Sequence, residues 1–492
     1  MKKKLSDILA RVKVDALHGD GEVAIEGIEY DSRKVKPGYL FVAIPGFKFD
    51  GKRFIDDAIV NGAVAIVADG YVKINVPLAV IRKPRETLPA LAAAYYDYPG
   101  EKLASAAVTG TNGKSTAVSL GGHILKAAGH KTGIINSLVY DTGLKKHKAD
   151  RTTPESLDVQ RYLHEMIEAG CTHAVVEVSS HALMLNRVEN IDFKYGLFTT
   201  FSRDHLDFHK TMEEYLAAKQ RLIYKLEGDT KRAVINNDAP EFRTFIKTAR
   251  CPVVTYSAAG KASDIMVGRY EFYPDRTEFE IIAPDGKYEA LIHLPGRYNL
   301  TNALGAATLA WAMGLDFETI VGALKTASPV TGRFQPLDFG QPFTILIDFA
   351  HTPDALERVC RSAREVTHGR LMILFGCGGD RDRGKRPLMG AAASENSDLV
   401  VITSDNPRTE NPDDIIEEIL PGVKGDNKVV IVDRRQAIRE MIARAKPGDT
   451  LIFAGKGAED YQEIGTVKYP FCEADEIRQA LIELGVTEER AQ

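Results

Sequence analysis

Short apolar runs recur along the whole chain, each closed by glycine or a polar cluster and most followed by a longer segment with helical spacing of its apolar positions. Runs of that length predict buried strands, and their alternation with helices predicts mostly parallel sheets with helices packed on them. In residues 1–100, MKKKLSDILARV predicts an amphipathic helix, its apolar run broken by Ser6, Asp7, Arg11 and Lys13. Val23 to Tyr30 alternates loosely, and Tyr39 to Ile44 predicts a buried strand after the DSRKVKPG turn. A second turn, Pro45 to Gly51, leads to a helix and a strand over Ala63 to Ala68, and Tyr95 to Gly100 predicts a linker.

In residues 101–330 the predicted strands are Ala104 to Val108, Ala174 to Val178, Gly196 to Phe201 and Ala233 to Asn236. Helical segments are predicted from Lys114 to Leu125 and around Tyr215 to Ile223, and Leu294 to Asn302 is expected to open a helix running through Ala303 to Met313. In residues 331–492 the strands are Phe343 to Ile347, Leu371 to Phe375, Leu399 to Thr403, Val429 to Val432 and Thr450 to Ala454, with helices after four of them. Pro353 falls where a helix tolerates proline, in its first turn. The expected fold is therefore α/β in three domains: a small α/β unit (1–100), a central mostly parallel sheet with helices on both faces (101–330), and a doubly wound sheet (331–492). No internal repeat or low-complexity segment interrupts this pattern.

Composition narrows the picture. Hydrophobic content of 44% and charged content of 27% are those of a soluble globular chain. A net charge of −5 argues against general nucleic-acid binding, and no apolar stretch is long enough to span a bilayer. The five cysteines are scattered without zinc spacing and read as reduced thiols, so a cytoplasmic protein is expected.

The chemistry starts at Val108-Thr-Gly-Thr-Asn-Gly-Lys-Ser-Thr116, a glycine loop between a strand and a helix. Such a loop aims backbone N–H groups and a helix N-terminus at a phosphate, with Lys114 for the outer phosphates and the Ser115 hydroxyl for Mg²⁺. A full Walker pattern would carry glycine where Val108 stands, so the match is to a shortened GxxGK[ST] loop. Polar clusters follow the next strands: Glu177-Val-Ser-Ser-His181, Ser202-Arg-Asp-His-Leu-Asp207 and Asn236-Asn-Asp238. In parallel sheets ligands gather at those strand ends, and oxygen donors with a minority of histidine suit Mg²⁺. Lys219, on a predicted helix, reads from its surroundings alone as one more solvated lysine. Near residue 300, Asn299, Thr301 and Asn302 are more polar than a helix start requires. Beyond residue 331, Asp348 to Asp354, Gly376 to Arg386, Asp405 to Arg408 and Gly455 to Glu459 again follow strands, and their arginines offer bidentate partners to carboxylates or phosphates.

Taken together, TGTNGKST, EVSSHAL, SRDHLDFH, YLAAKQRLI, GRYNLTN, TGRF, DFAHTPDAL, GGDRDRGKRPLM, DNPR and GKGAE occur in this order across the chain. The sequence resembles the Mur ligases, and among them those adding the third residue of the peptidoglycan stem peptide. The resemblance implies a P-loop-type central domain, a Rossmann-like C-terminal domain and an ADP-forming ligation of an amino acid to UDP-MurNAc-L-Ala-D-Glu through an acyl phosphate. It implies ATP binding by Gly110, Thr111, Asn112, Gly113, Lys114, Ser115, Thr116, Asn302, Arg333 and Asp348. It implies two Mg²⁺ sites served by Ser115, Glu177, His205 and Lys219, the last as a CO₂-derived carbamate (N6-carboxylysine), with Lys114, Lys219 and His205 catalytic. Asp31-Ser32-Arg33 would meet uridine, and Thr152, Thr153, Ser179 and Arg187 the muramoyl-dipeptide. Arg381, Asp405, Asn406, Arg408, Gly455 and Glu459 would receive the third amino acid. The Asn-Pro-Arg sequence favours meso-2,6-diaminopimelate over L-ornithine, LL-diaminopimelate or L-lysine.

Two positions depart from the family pattern: Ala458 replaces a histidine in GKGHE, and Leu185 replaces a glutamine near Arg187. A monomer is expected, with no nucleic-acid or membrane partner. A folylpolyglutamate synthase-like ligase would not need the first 100 residues or DNPR. A non-catalytic P-loop module would not need Lys219 or the Arg381 and Arg408 pair.

Overall fold

The computed structural model describes residues 1–46 and 50–486; the middle of the expected second turn, residues 47–49, lies outside them. The chain builds three principal sheets, and each packs its own helices. The first has five strands in the order Ala16–His18, Leu78–Val80, Ala63–Ala68, Tyr39–Val42, Gly27–Glu29, parallel except for its first member. The stretch expected as one strand over Val23 to Tyr30 is divided. Ala24–Ile25 pairs with Lys3–Lys4, while Gly27–Glu29 joins the main sheet. A Cβ on Gly27 would lie 2.3 Å from the Tyr39 ring, so the switch needs glycine there. Because Lys3–Lys4 is taken up in that pairing, the N-terminal helix is only Leu5–Leu9.

The expected linker is packed chain. Tyr95 ends the Pro84–Tyr95 helix, is buried, and donates its hydroxyl to Glu26 O at 2.6 Å. Asp97 and Tyr98 then reverse direction with φ of 60° and 51°, ahead of a helical turn at Pro99–Lys102 that buries Pro99 and Gly100.

The central sheet has eleven strands. Its parallel heart runs Thr132–Ile135, His173–Glu177, Ala104–Thr109, Tyr195–Phe198, Arg232–Asn236, Val253–Ser257, Ile265–Phe272. Antiparallel strands extend both edges: Val139–Asp141 and Lys146–Lys148 on one side, Thr277–Ala283 and Gly286–Ile292 on the other. One face buries Val118, Ile124, Leu304 and Phe317, the other Leu163, Met166, Leu222 and Phe245. Helices cover both faces, which explains why the central strands carry almost no outward polar positions.

One boundary differs from the sequence expectation for a local reason. The Tyr195–Phe198 strand stops short of Phe201, because Thr199 and Thr200 turn aside to hold the glycine loop. The helix expected to open within Leu294 to Asn302 begins at Arg297, so Asn299, Thr301 and Asn302 lie inside it. Asn299 Nδ2 donates to Pro295 O and Thr301 Oγ1 to Arg297 O, which satisfies polar side chains in the first turns without using them as caps.

The third sheet has six strands in the order Gln335–Leu337, Thr344–Asp348, Thr450–Ala454, Leu371–Phe375, Leu399–Ile402, Lys428–Val430, parallel after the first. Pro353 does open the Pro353–Arg364 helix, with Thr352 Oγ1 accepting from Ala355 N. A hairpin, Tyr461–Ile464 with Val467–Pro470, follows the last sheet strand. Among the described residues no helix is long and apolar enough to cross a membrane.

Candidate active site

The glycine loop leaves the Ala104–Thr109 strand between two neighbours that both end in polar clusters. Its shape is held from the side by the Tyr195–Phe198 strand end: Thr111 N donates to Thr200 O at 2.7 Å, and Asn112 N to Thr200 Oγ1 at 3.0 Å. Thr199 Oγ1 donates to Asn112 O at 2.6 Å. Gly113 adopts φ of +84° and has Asn302 directly behind it; a Cβ there would sit 2.1 Å from Asn302 Oδ1. The loop therefore needs glycine both for its backbone and for its neighbour. Lys114 opens the Lys114–Ala127 helix and donates back to Thr111 O at 2.8 Å. Burial holds its amine below the usual lysine range against the pull of Glu177 and Asp204.

Beside the loop lies a cleft of about 420 Å³, lined from the central sheet by Thr111 to Thr116, Ser137, Glu177, Asp204 and His205, and from the third sheet by Arg333, Asp348 and Glu459. Ser115 Oγ is 2.8 Å from Ser137 Oγ, and Ser137 N donates to Glu177 Oε2 at 2.9 Å. Hydroxyl and carboxylate oxygens thus converge on one corner. Among the described residues no three His, Cys, Asp or Glu side chains form a metal cage. Magnesium does not require one, since it takes one or two protein oxygens and completes its shell with water and substrate phosphate. The donor set fits that ion.

His205 sits at φ +54° with its ring edge-on to His181, centroids 4.8 Å apart, and burial lowers its pKa to about 4. It is a neutral imidazole near pH 7 and can ligate. Lys219, on the Met212–Tyr224 helix, is 1% exposed, which removes the solvated reading of it. Its Nζ donates to Gly110 O at 2.6 Å and lies 4.5 Å from the Tyr215 ring centre. Burial first, and then the charge of Lys114, push this amine well below the ordinary lysine value.

The third sheet contributes two groups to the loop. Arg333, over the Phe349 ring, reaches Ser137 Oγ at 3.2 Å and Ser115 Oγ at 3.4 Å. Asp354 accepts from Ser202 Oγ at 2.8 Å and from Asn112 Nδ2 at 3.2 Å. Asp348 accepts the N–H groups of Phe334 and Ala350, each at 2.7 Å. Burial raises its pKa against those donors and Arg333.

The residues expected at the muramoyl-dipeptide lie near one another. Thr153 Oγ1 donates to Glu177 O at 2.8 Å and accepts Ser179 N at 3.1 Å, while Arg187 NH1 donates to Thr153 O and its Nε to Glu155, both at 3.1 Å. Thr152 lines the cleft beside them. Ser32, expected at uridine, lies apart in the Ser32–Lys34 turn that follows the Gly27–Glu29 strand, its carbonyl held by Asn61 Nδ2.

The residues expected at the third amino acid form one connected set. Asn406 Nδ2 donates to Glu459 Oε2 at 2.9 Å, and a Cβ on Gly455 would lie 2.5 Å from Asp405 Oδ2. Burial raises the Asp405 pKa, but Lys456 and Arg434 hold it below the usual range. Arg408 donates to Gly379 O at 2.8 Å and to Glu463 Oε2 at 3.0 Å. Arg381 is exposed, and its contact is with its neighbour Asp380 O. A Cβ on Gly378 would be 3.0 Å from Arg408 NH1 and 3.8 Å from Arg381 Cγ, so the two arginines bracket that glycine.

Five residues of this region carry no motif signal that assigns them: Ser137, Thr199, Thr200, Asp354 and Glu463. Asp354 stands inside DFAHTPDAL and could have been singled out there. The others are identified only by what they touch.

Comparison with known proteins accords with this layout. Three family models match in sequence: Mur ligase family, catalytic domain over residues 24–105; Mur ligase middle domain over 108–310; and Mur ligase, glutamate ligase domain over 332–457. The UDP-N-acetylmuramoyl-L-alanyl-D-glutamate--2,6-diaminopimelate ligase of Bacillus licheniformis is 40% identical over 487 residues, 98% of this chain and 100% of that protein. A solved structure of a ligase of the same name is 30% identical, with TM-score 0.70 over 99% of this chain and 100% of that one. The MurF ligase of Thermotoga maritima, solved in complex with ADP, shares the fold at 19% identity, with TM-score 0.65 over 94% of this chain and 97% of its own. On these matches, which together run almost from end to end, the chain belongs to the Mur ligase family.

Proposed function

We propose that this protein is the ATP-dependent ligase that joins meso-2,6-diaminopimelate to UDP-MurNAc-L-Ala-D-Glu. The observation that carries the reading is the single cleft in which the phosphate loop of the central sheet faces Arg333, Asp348 and Glu459 of the third. A relative bearing that activity in its name aligns over 98% of the chain. In this reading residues 1–100 and Ser32 receive the uridine end, Thr152, Thr153, Ser179 and Arg187 the muramoyl-dipeptide, and residues 331–492 the amino acid.

A carboxylate resists attack by an amine, because it is a poor electrophile. Transfer of the ATP γ-phosphoryl group to one carboxylate oxygen gives an acyl phosphate and ADP. The amine then adds to the carbonyl carbon, loses a proton, and the tetrahedral adduct expels phosphate. Positioning and cationic clamping supply most of the acceleration in such transfers. Gly110 to Thr116 and Asn302 hold the nucleotide, with Lys114 and Arg333 set against developing charge on the phosphoryl oxygens. Asp348 keeps Phe334 and Ala350 fixed at the base of the Arg333 turn. Bound Mg²⁺ would neutralise phosphate charge, held by Ser115, Glu177 and His205.

Lys219 serves as a carbamate. Burial, and then the charge of Lys114, disfavour the ammonium; the lone pair of the neutral amine attacks CO₂ as a proton leaves, and the product would place anionic oxygens where an ammonium would repel metal. A cytoplasmic site of action accords with the use of ATP and a UDP-sugar. The decisive assay is phosphate release from ATP with UDP-MurNAc-L-Ala-D-Glu and each diamino acid in turn. Release should be fastest with meso-diaminopimelate; equal or faster release with L-lysine or L-ornithine would overturn the substrate assignment.

A further inference from the structure

Tyr215 and Lys219 stand four positions apart on the Met212–Tyr224 helix, so they share one face of it, and that face meets the glycine loop. They hold consecutive residues of the loop. Lys219 Nζ donates to Gly110 O at 2.6 Å, and the Tyr215 hydroxyl lies 3.1 Å from Thr111 Oγ1. A threonine hydroxyl has one proton and two lone pairs. Thr111 Oγ1 donates to Ser202 O at 3.2 Å and accepts Ser202 N at 3.1 Å, so its remaining place is for a donor, and the tyrosine is that donor. Tyr215 is buried, and burial raises its phenol pKa, so the proton stays where it is needed. One threonine oxygen thus joins three segments: the glycine loop, the turn from Ser202 to His205, and the helix. The Tyr215 ring is set by Phe201 and His209, each with its centre 5.1 Å away, and covers Lys219 Nζ at 4.5 Å.

A phosphate loop binds through backbone N–H groups, and any ordering left until the ligand arrives costs affinity. Thr111 N is fixed from the strand side by Thr200 O, while its side chain is fixed by Ser202 and Tyr215. We propose that Tyr215 is a positioning residue for the nucleotide: its hydroxyl sets the glycine loop, and its ring holds Lys219 against the same loop, so that loop and lysine form one unit. This rests on the reading of the loop as the ATP site and deepens it. Phenylalanine in its place would fill the same space and leave Thr111 one hydrogen bond short in a buried setting.

The test is calorimetric, with Mg²⁺-ADP as the probe and the full-length wild type, Tyr215→Phe, Thr111→Val and the double variant as the proteins. Tyr215→Phe should weaken ADP about fivefold or more. Thr111→Val should weaken it further, since it also loses Ser202. Adding Tyr215→Phe to Thr111→Val should change nothing more, because the bond is already gone. Unchanged affinity in Tyr215→Phe alone, or a full separate loss from it in the Thr111→Val background, would overturn the positioning role. Because Tyr215→Phe retains the ring, the ¹³C resonance that labelled bicarbonate gives on Lys219 should persist at wild-type intensity. Loss of that resonance together with ADP binding would mean a collapsed site and would overturn the role as well. Wild-type protein that binds no ADP removes the nucleotide reading of the loop. Wild-type protein that binds ADP but takes up no ¹³C removes the carbamate reading, and the ADP comparison still decides the role of the hydroxyl.

Discussion

Lys219 shows what a residue's surroundings add to its identity. On the sequence it is one lysine in a helix, and helix lysines are ordinarily solvated. Only the resemblance of YLAAKQRLI to a family motif singles it out, and only the fold buries it to 1% exposure against Gly110 O. A buried amine with Lys114 nearby is costly as an ammonium, which is the physical condition that carbamate formation needs. Lys219→Ala should therefore lower turnover by about 10²–10³, the scale of losing one charge-stabilising group. A small carboxylic acid in solution should restore part of it by filling the vacated space. Steady-state phosphate release checks both; full activity without the acid would exclude the carbamate. Glu463 had no comparable signal, because its partner Arg408 lies 55 positions away in sequence though in hydrogen-bond contact in space.

At the scale of elements, the parallel strands were the most legible feature. Ala63–Ala68, Leu371–Phe375 and Thr450–Ala454 coincide with their apolar runs, since a strand covered on both faces has no reason to alternate. The antiparallel edge was less legible, although Thr-Glu-Phe-Glu-Ile at Thr277 to Ile281 alternates as a half-buried strand should. Such a pattern does not say which sheet accepts it. Loop order was legible only as charge.

The structure explains the charge around the DNPR loop as lacing. Arg386, fully buried, donates to both oxygens of Glu410 at 2.9 Å, and Glu410 accepts Asp380 N at 2.5 Å, so the loops carrying Arg381 and Arg408 are fixed to one another. The Arg386 hydrogen bonds hold the Glu410 pKa at about 2, against an ordinary 4.5. A carboxyl depressed on folding contributes stability that is complete above about pH 4.5 and is lost as pH falls through about 2. Glu410→Gln should thus melt below the wild type at pH 7, and the gap should narrow as the pH is taken from 5 towards 3. Melting temperatures measured across that range check it; a constant gap would assign the loss to packing.

For the whole molecule, the question is what joins the third sheet to the phosphate loop. Among the described residues, the polar links between the central and third regions include Lys148 with Asp460, Arg297 with Glu365, Tyr298 with Asp348, Arg333 with Ser115 and Ser137, and Asp354 with Asn112 and Ser202. They are unequal. Lys148 and Asp460 are 71% and 56% exposed, and exposed pairs are worth about 0–1 kcal/mol and weaken with salt. Asp354 is more strongly placed. It takes two donors on one oxygen beside the glycine loop, while Arg358 holds its other oxygen at 3.1 Å. No sequence pattern reports this, because the partners lie more than 150 positions apart.

Removing the carboxylate leaves Asn112 and Ser202 without an acceptor, a loss of about 1–3 kcal/mol. Asp354→Ala should therefore raise KM for ATP by roughly 5- to 150-fold, since that energy is a factor of ten per 1.4 kcal/mol. Asp354→Asn keeps an oxygen for both donors and should fall much less. If the contact is what docks the third sheet on the nucleotide, X-ray scattering should show the wild type and Asp354→Asn compacting with ATP and Asp354→Ala remaining extended. Equal compaction and equal KM in all three proteins would transfer the docking role to Arg333. That residue acts through the Ser115 hydroxyl proposed for the metal, so its loss should depress turnover at saturating ATP as well as binding, and the two links can be told apart by kcat alone.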